Sequence, residues 1–160
     1  MIFVTAGTQL PFDRLVEVID EIASQHKDTT FVIQALNSKY EARHVKVIDF
    51  ISAAQFDRYV EESQLIISHA GMGTIITALV KKKPIIVMPR LLKYKEHRNE
   101  HQLGTCKQMD KLGYVHVAYD EQELKTMFNQ MWPDELTIRN SITADASNKM
   151  ISTLNHFIKF

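Results

Sequence analysis

The sequence predicts an α/β fold, a Rossmann-like parallel sheet with helices on both faces, and three observations predict it. Short apolar runs of strand length alternate with helical periods along the whole chain. Two of those runs lead into helices through glycine-bearing turns, "TAGTQ" at 5–9 and "SHAGMGT" at 68–74. No internal repeat, low-complexity segment or linker divides the 160 residues, a length that suits one well-buried domain, 1–160.

The elements follow in order. "IFVTA" (2–6) reads as a buried strand. Pro11 opens a helix whose Phe12, Leu15, Val16, Ile19 and Ile22 share one face. "TFVIQAL" (30–36) and "VKVIDF" (45–50) are the next strands, and Ser52 caps a helix carrying Phe56, Tyr59 and Val60. "LIIS" (65–68) is a strand, and "TIITALV" (74–80) is a helix despite its β-branched residues, because it lies between two better strand candidates. "PIIVMP" (84–89) is a strand closed by prolines. Residues 97–112 read as a helix that Gly113 ends, and "YVHVAY" (114–119) is the last strand. Helices over 121–132 and 138–158 flank "WPDE". The second places Met150, Ile151, Leu154, Phe157, Ile158 and Phe160 along one broad side, for its own sheet or for a partner.

Composition narrows the function. Lys plus Arg equals Asp plus Glu, 19 each, so no global field recruits nucleic acid. Lys81, Lys82 and Lys83 read as a solvated helix end, whereas Arg90, Lys93, Lys95 and Arg98 could meet an anionic ligand or a lipid surface. The single cysteine, Cys106, reads as a packing residue in a reducing compartment. No apolar run approaches the roughly 20 residues that span a bilayer. A cytoplasmic protein is expected, peripheral at a membrane only if another chain holds it there.

In a parallel sheet ligands bind at the carboxyl ends of the strands, where both glycine turns fall. Glycine lets backbone N–H groups approach a ligand, and a helix N-terminus attracts negative charge. His69, Gly71, Met72, Gly73 and Thr74 therefore read as a seat for a diphosphate, with Gly7, Thr8 and Gln9 facing it from the other turn; a tight structural turn reads equally well. Neither the GxGxxG fingerprint nor the GxxxxGK[ST] loop is present. "EHRNEHQ" (96–102) adds polar groups on the same edge. With His97 and His101 on one helical face it also matches a zinc-hydrolase pattern, H-x-x-E-H, with Glu100 as base but no marked third ligand.

Taken together, "VTAGTQLPFDRLV", "ISHAGMGTIITAL", "KPIIVMPR" and "EHRNEHQL" resemble the C-terminal, donor-binding half of GT-B glycosyltransferases of the lipid II transferase type. They look most like stand-alone versions of that half, found in the dolichol pathway and in bacterial capsule and exopolysaccharide synthesis. The resemblance covers roughly residues 2–118. It implies that the turn at His69 to Thr74 wraps a UDP diphosphate, that His101 and Gln102 approach the donor sugar with Asn99 nearby, and that Gly7 to Gln9 lie across the cleft. It also implies a UDP-sugar donor, inverting transfer without metal or other cofactor, a lipid-linked saccharide acceptor, and a membrane-associated acceptor-binding subunit as partner. A homodimer is an allowed state of the isolated chain.

One position departs from the pattern. Many relatives have a ribose-gripping glutamate seven residues before the proline, where this chain has Thr77. Arg98 is the basic neighbour expected at the leaving diphosphate. No residue stands out as a general base, so the catalytic residues are unassigned and the base is expected on the partner. The competing readings are a non-catalytic enhancer or scaffolding subunit of such a transferase and, more remotely, the zinc hydrolase.

Overall fold

The computed structural model describes residues 1–142. Six parallel strands form one sheet: β1 (Ile2–Thr5), β2 (Phe31–Gln34), β3 (Lys46–Ile48), β4 (Leu65–His69), β5 (Ile85–Met88) and β6 (His116–Val117). The described helices are α1 (Asp13–Gln25), α2 (Ala53–Glu62), α3 (Met72–Val80), α4 (His101–Lys111) and α5 (Glu121–Met131). Strand order is β3-β2-β1-β4-β5-β6. The chain winds outward from β1 through β2 to β3, then returns to lay β4 on the other side of β1. Thr5 of β1 is thus in register with Gln34 of β2 and Ser68 of β4. Strand order reverses between β1 and β4, and a crevice opens there at the carboxyl ends.

Alternation along the strands builds two cores. Ile2, Val4, Ile33, Leu65, Ile67, Ile86 and Met88 point to one face, where α1 brings Leu15, Val16 and Ile19 and α5 brings Leu124 and Phe128. Phe3, Ile66, Ile85, Val87 and Val117 point to the other face, against Val60 of α2, Ile75 and Leu79 of α3, and Cys106 of α4. Such strands must be apolar throughout, which is why they read as continuous runs. Full burial of each large aliphatic or aromatic side chain contributes about 1.5–3 kcal/mol. Phe3 adds ring contacts to Phe56 and Tyr59 at 5.5 and 5.4 Å, which orient α2. Cys106 is fully buried, and burial followed by Asp110 pushes its thiol up to about 12, as a packing residue requires.

Local signals set several helix ends. Ser52 and Gln55 form a reciprocal capping box at α2, with Ser52 Oγ accepting from Gln55 N at 3.2 Å. Gly113, at φ 71°, closes α4: its N–H donates to Asp110 O and the Tyr114 N–H to Met109 O. Lys81 pairs with Glu61, and Lys83 Nζ donates to Ser63 O at 2.9 Å, so these lysines serve the helix end.

Several expectations need correction. α1 begins at Asp13, two residues after Pro11. α3 begins at Met72, so Gly73 and Thr74 already lie in its first turn. α4 begins at His101 rather than 97, because the Asn99 side chain accepts from His101 N at 3.0 Å and turns the chain before the helix can start. Residues 138–142 are not helical; Asn140 N donates to Gly113 O beside β6. The rest of the expected C-terminal helix, with its apolar side, lies outside the described residues. Arg90 belongs to no surface basic patch, being 1% exposed.

Candidate functional site

The first glycine turn leaves β1 at the crevice. Gly7 takes φ 79°, which only glycine adopts without strain. Gln34 of β2 holds the turn from below: its Nε2 donates to Gly7 O at 3.3 Å and Asp49 O at 3.0 Å, while its Oε1 accepts from Thr5 Oγ1 at 2.7 Å. Arg90, just past β5, reaches under β4's side of the crevice and donates through Nη2 to the carbonyls of Ala6 and Leu10. Both ends of the turn are therefore fixed. Thr8 and Gln9, between them, are exposed.

The second turn leaves β4 beside it. His69 ends the strand, Gly71 N donates to His69 O at 2.8 Å, and α3 starts at Met72. The His69 ring lies between the two turns. A Cβ on Gly7 would stand 2.7 Å from its Nε2, and a Cβ on Gly71 would stand 2.1 Å from its Cε1. Both glycines thus make room for this imidazole. Gly73 differs, since a Cβ there meets nothing within 4 Å. Gly71 as N-cap has no side chain to accept from the first turn of α3, so the amides of Met72, Gly73 and Thr74 carry the positive end of the helix dipole unmet by a cap.

Gln102, on the first turn of α4, is buried beneath this junction. Its Oε1 accepts from Arg90 N at 3.1 Å and its Nε2 lies 3.1 Å from His69 Nδ1. Burial, and then the Arg90 guanidinium, push the His69 imidazole down to about 4. Burial likewise lowers Arg90 to about 10, still charged at neutral pH.

A cleft of about 380 Å³ lies between the first turn and the segment before α4, lined by Gln9, Leu10, His97, Arg98 and Asn99. The structure therefore brings Gln9 of the first turn together with Arg98 and Asn99 of the segment before α4. His101 is exposed nearby, at the start of α4. Gln102 is turned inward to His69 rather than outward. Thr77 donates its hydroxyl to Gly73 O at 2.9 Å, inside its own helix. The zinc pattern loses its geometric premise: His97 precedes the helix that starts at His101, and its Nδ1 lies 3.1 Å from Asn99 O. Glu100, its would-be base, accepts from Leu92 N at 3.3 Å. Among the described residues no three His, Cys, Asp or Glu side chains gather as a metal site.

Two supports escaped the sequence reading. Arg14 of α1 makes a two-point bond to Glu96 (Nε and Nη2, both 2.9 Å), donates to Pro89 O at 3.0 Å, and reaches Glu121 of α5 at 3.2 Å. Glu96 in turn accepts from Leu91 N at 3.0 Å, so this pair holds the segment that carries Arg98 and Asn99. The partners are 82 residues apart, and no periodicity links them. Arg90 is the other, its buried charge invisible in a run of surface-like basic residues.

The chain has known relatives. Over 85 residues the chain is 34% identical to the UDP-N-acetylglucosamine transferase subunit ALG13 of Candida albicans, an alignment covering 53% of this chain and 27% of that relative. The chain thus spans well under half of that relative's length. It superposes on the NMR solution structure of ALG13 with a TM-score of 0.60 at 21% identity, covering 96% of this chain and 93% of the other. It also superposes on the Neisseria meningitidis UDP-GlcNAc 2-epimerase bound to UDP-GlcNAc, with a TM-score of 0.63 at 17% identity, covering 99% and 44%. These two likenesses establish the fold. The glycosyltransferase family 28 C-terminal domain profile matches residues 1–154, spanning both glycine turns, the cleft and all described helices, and the chain accordingly belongs to that glycosyltransferase family.

Proposed function

We propose that this chain is the donor-binding subunit of a two-component, UDP-sugar-dependent glycosyltransferase that acts on a lipid-linked acceptor in polysaccharide synthesis. One observation carries the reading. The strand-end turns after β1 and β4 meet around the His69 ring at the reversal of strand order, with the uncapped N-terminus of α3 on the second turn and the cleft of Gln9, Arg98 and Asn99 on the first. Helix N-terminal amides and Arg98 suit a diphosphate, and they stabilise it more as it leaves with added charge. That supports metal-independent transfer; inversion at the sugar rests on the family resemblance alone. Asn99 and His101 are assigned to the sugar end. The acceptor-binding surface and the base belong to a membrane-associated partner, through which this chain works at the cytoplasmic face of a membrane.

Thr77 supports a second reading, the non-catalytic enhancer. Its hydroxyl proton is committed to Gly73 O, leaving one weak acceptor where a carboxylate would make two charge-assisted bonds to the ribose. Donor turnover by the purified complex, with and without a disabled seat, separates the two.

Gly73 gives the clean test of the seat, because a side chain there meets no neighbour. Gly73→Asp sets a negative charge at the α3 N-terminus and is expected to abolish UDP binding in calorimetry, whereas Gly73→Ala retains it. Unchanged UDP affinity in a folded Gly73→Asp variant would place the nucleotide elsewhere. Gly71→Asp, by contrast, collides with His69 and tests the fold and the seat at once.

A further inference from the structure

We infer that Gln102 is a positioning residue that locks His69 in a single tautomer, presenting an Nε2–H donor to the gap between the two glycine turns. Donors and acceptors alone decide the tautomer. The backbone N–H of Arg90 can only donate, so the group 3.1 Å away on Gln102 is its carbonyl oxygen, Oε1. The amide nitrogen of Gln102 therefore faces His69 Nδ1, also at 3.1 Å. An amide nitrogen can only donate, so Nδ1 accepts and carries no proton. In a neutral ring the proton then resides on Nε2.

Nε2 is the atom that a Cβ on Gly7 would approach to 2.7 Å, so this N–H lies against the first turn, beside the second. The titratable groups facing the ring are Arg90 and His97, and the Arg90 charge opposes a second proton. Together with burial it keeps the imidazole neutral. The result is a donor whose direction is set by a backbone amide in a neighbouring loop and whose charge does not change near neutral pH. On the proposed function, the group it meets is an acceptor oxygen of the nucleoside diphosphate.

The full chain, labelled with ¹⁵N at histidine, tests this. In the wild type, His69 Nδ1 is expected to give a pyridine-like ¹⁵N shift and Nε2 a pyrrole-like one, unchanged from pH 8 to pH 5. Gln102→Glu keeps the shape and the Arg90 N–H bond but replaces the amide donor with an acceptor. Its Nδ1 is expected to become protonated, and the ring to titrate at higher pH than in the wild type. Gln102→Leu removes the donor and is expected to give mixed tautomers. A wild-type Nδ1–H, ordinary titration near 6.5, or identical spectra in wild type and Gln102→Glu would overturn the lock. UDP calorimetry supplies the second arm: loss of the fixed donor is expected to weaken UDP binding by about tenfold. A tautomer that switches as expected while UDP affinity stays constant overturns the link to the ligand. Failure of the wild type to bind UDP at all sinks the functional reading, and the spectra still decide the lock.

Discussion

A methyl carbon added at Gly71 would sit 2.1 Å from Cε1 of the His69 ring, far inside any tolerable contact, although its φ of −84° suits every residue. Space, not backbone freedom, demands glycine there. Two residues on, Gly73 lies in the first turn of α3, and a side-chain carbon added there would find nothing within 4 Å, so helix propensity alone decides. Gly71→Ala is therefore expected to destabilise the protein by about 1–3 kcal/mol through overpacking. Gly73→Ala is expected to stabilise it by about 0.5–1 kcal/mol. Urea unfolding of the two variants checks this directly. Equal losses would mean that His69 does not occupy the gap.

The segment from Pro89 to Glu100 has little regular structure, only a short 3₁₀ turn over Leu92–Tyr94, yet it carries one wall of the cleft. Its position depends on the Arg14–Glu96 pair, whose side chains are 10% and 8% exposed, and on the Leu91 N–H that Glu96 accepts. Glu96→Gln leaves Arg14 facing an amide and is expected to cost about 3 kcal/mol, as removal of one partner from a sheltered ion pair does. Amide exchange should accelerate at Leu91 and Leu92 and stay unchanged in β1 and β4. Protection unaltered at Leu91 would show that the loop is held by other contacts. This element also shows how far the sequence could be read. β1, β4, β5 and α1 were legible because their side chains repeat with the period of the structure. The N-cap at Ser52 and the glycine stop at Gly113 were legible because each acts within a few residues. The start of α4 was misplaced because Asn99 acts through its side chain. The inward turn of Gln102, the burial of Arg90 and the reach of Arg14 were not legible, since each depends on partners brought close only by the order of strands.

At the scale of the whole molecule, acid should weaken the fold through groups held away from protons. Burial, and then Arg90, lower His69 to about 4, from an ordinary value near 6.5. Burial lowers His116 as well. Burial would raise Asp20, but backbone N–H groups of Arg43 and His44 outweigh it and hold the carboxyl below its usual range. All three groups bind protons more readily in the unfolded chain, so stability rises with pH wherever they titrate. The His69 contribution is fully present above pH 6.5 and is lost as pH falls from 6.5 to about 4; Asp20 adds its loss below the ordinary carboxylate range. The His69 shift corresponds to about 3 kcal/mol over that window, a large share of the roughly 5–15 kcal/mol that holds a domain folded. Urea unfolding between pH 7 and pH 4 is expected to show this slope, and His69→Asn, which cannot titrate, is expected to flatten it. Parallel pH profiles for the two proteins would mean that His69 takes up its proton in the folded state as easily as in the unfolded one, and that neither burial nor Arg90 governs its charge.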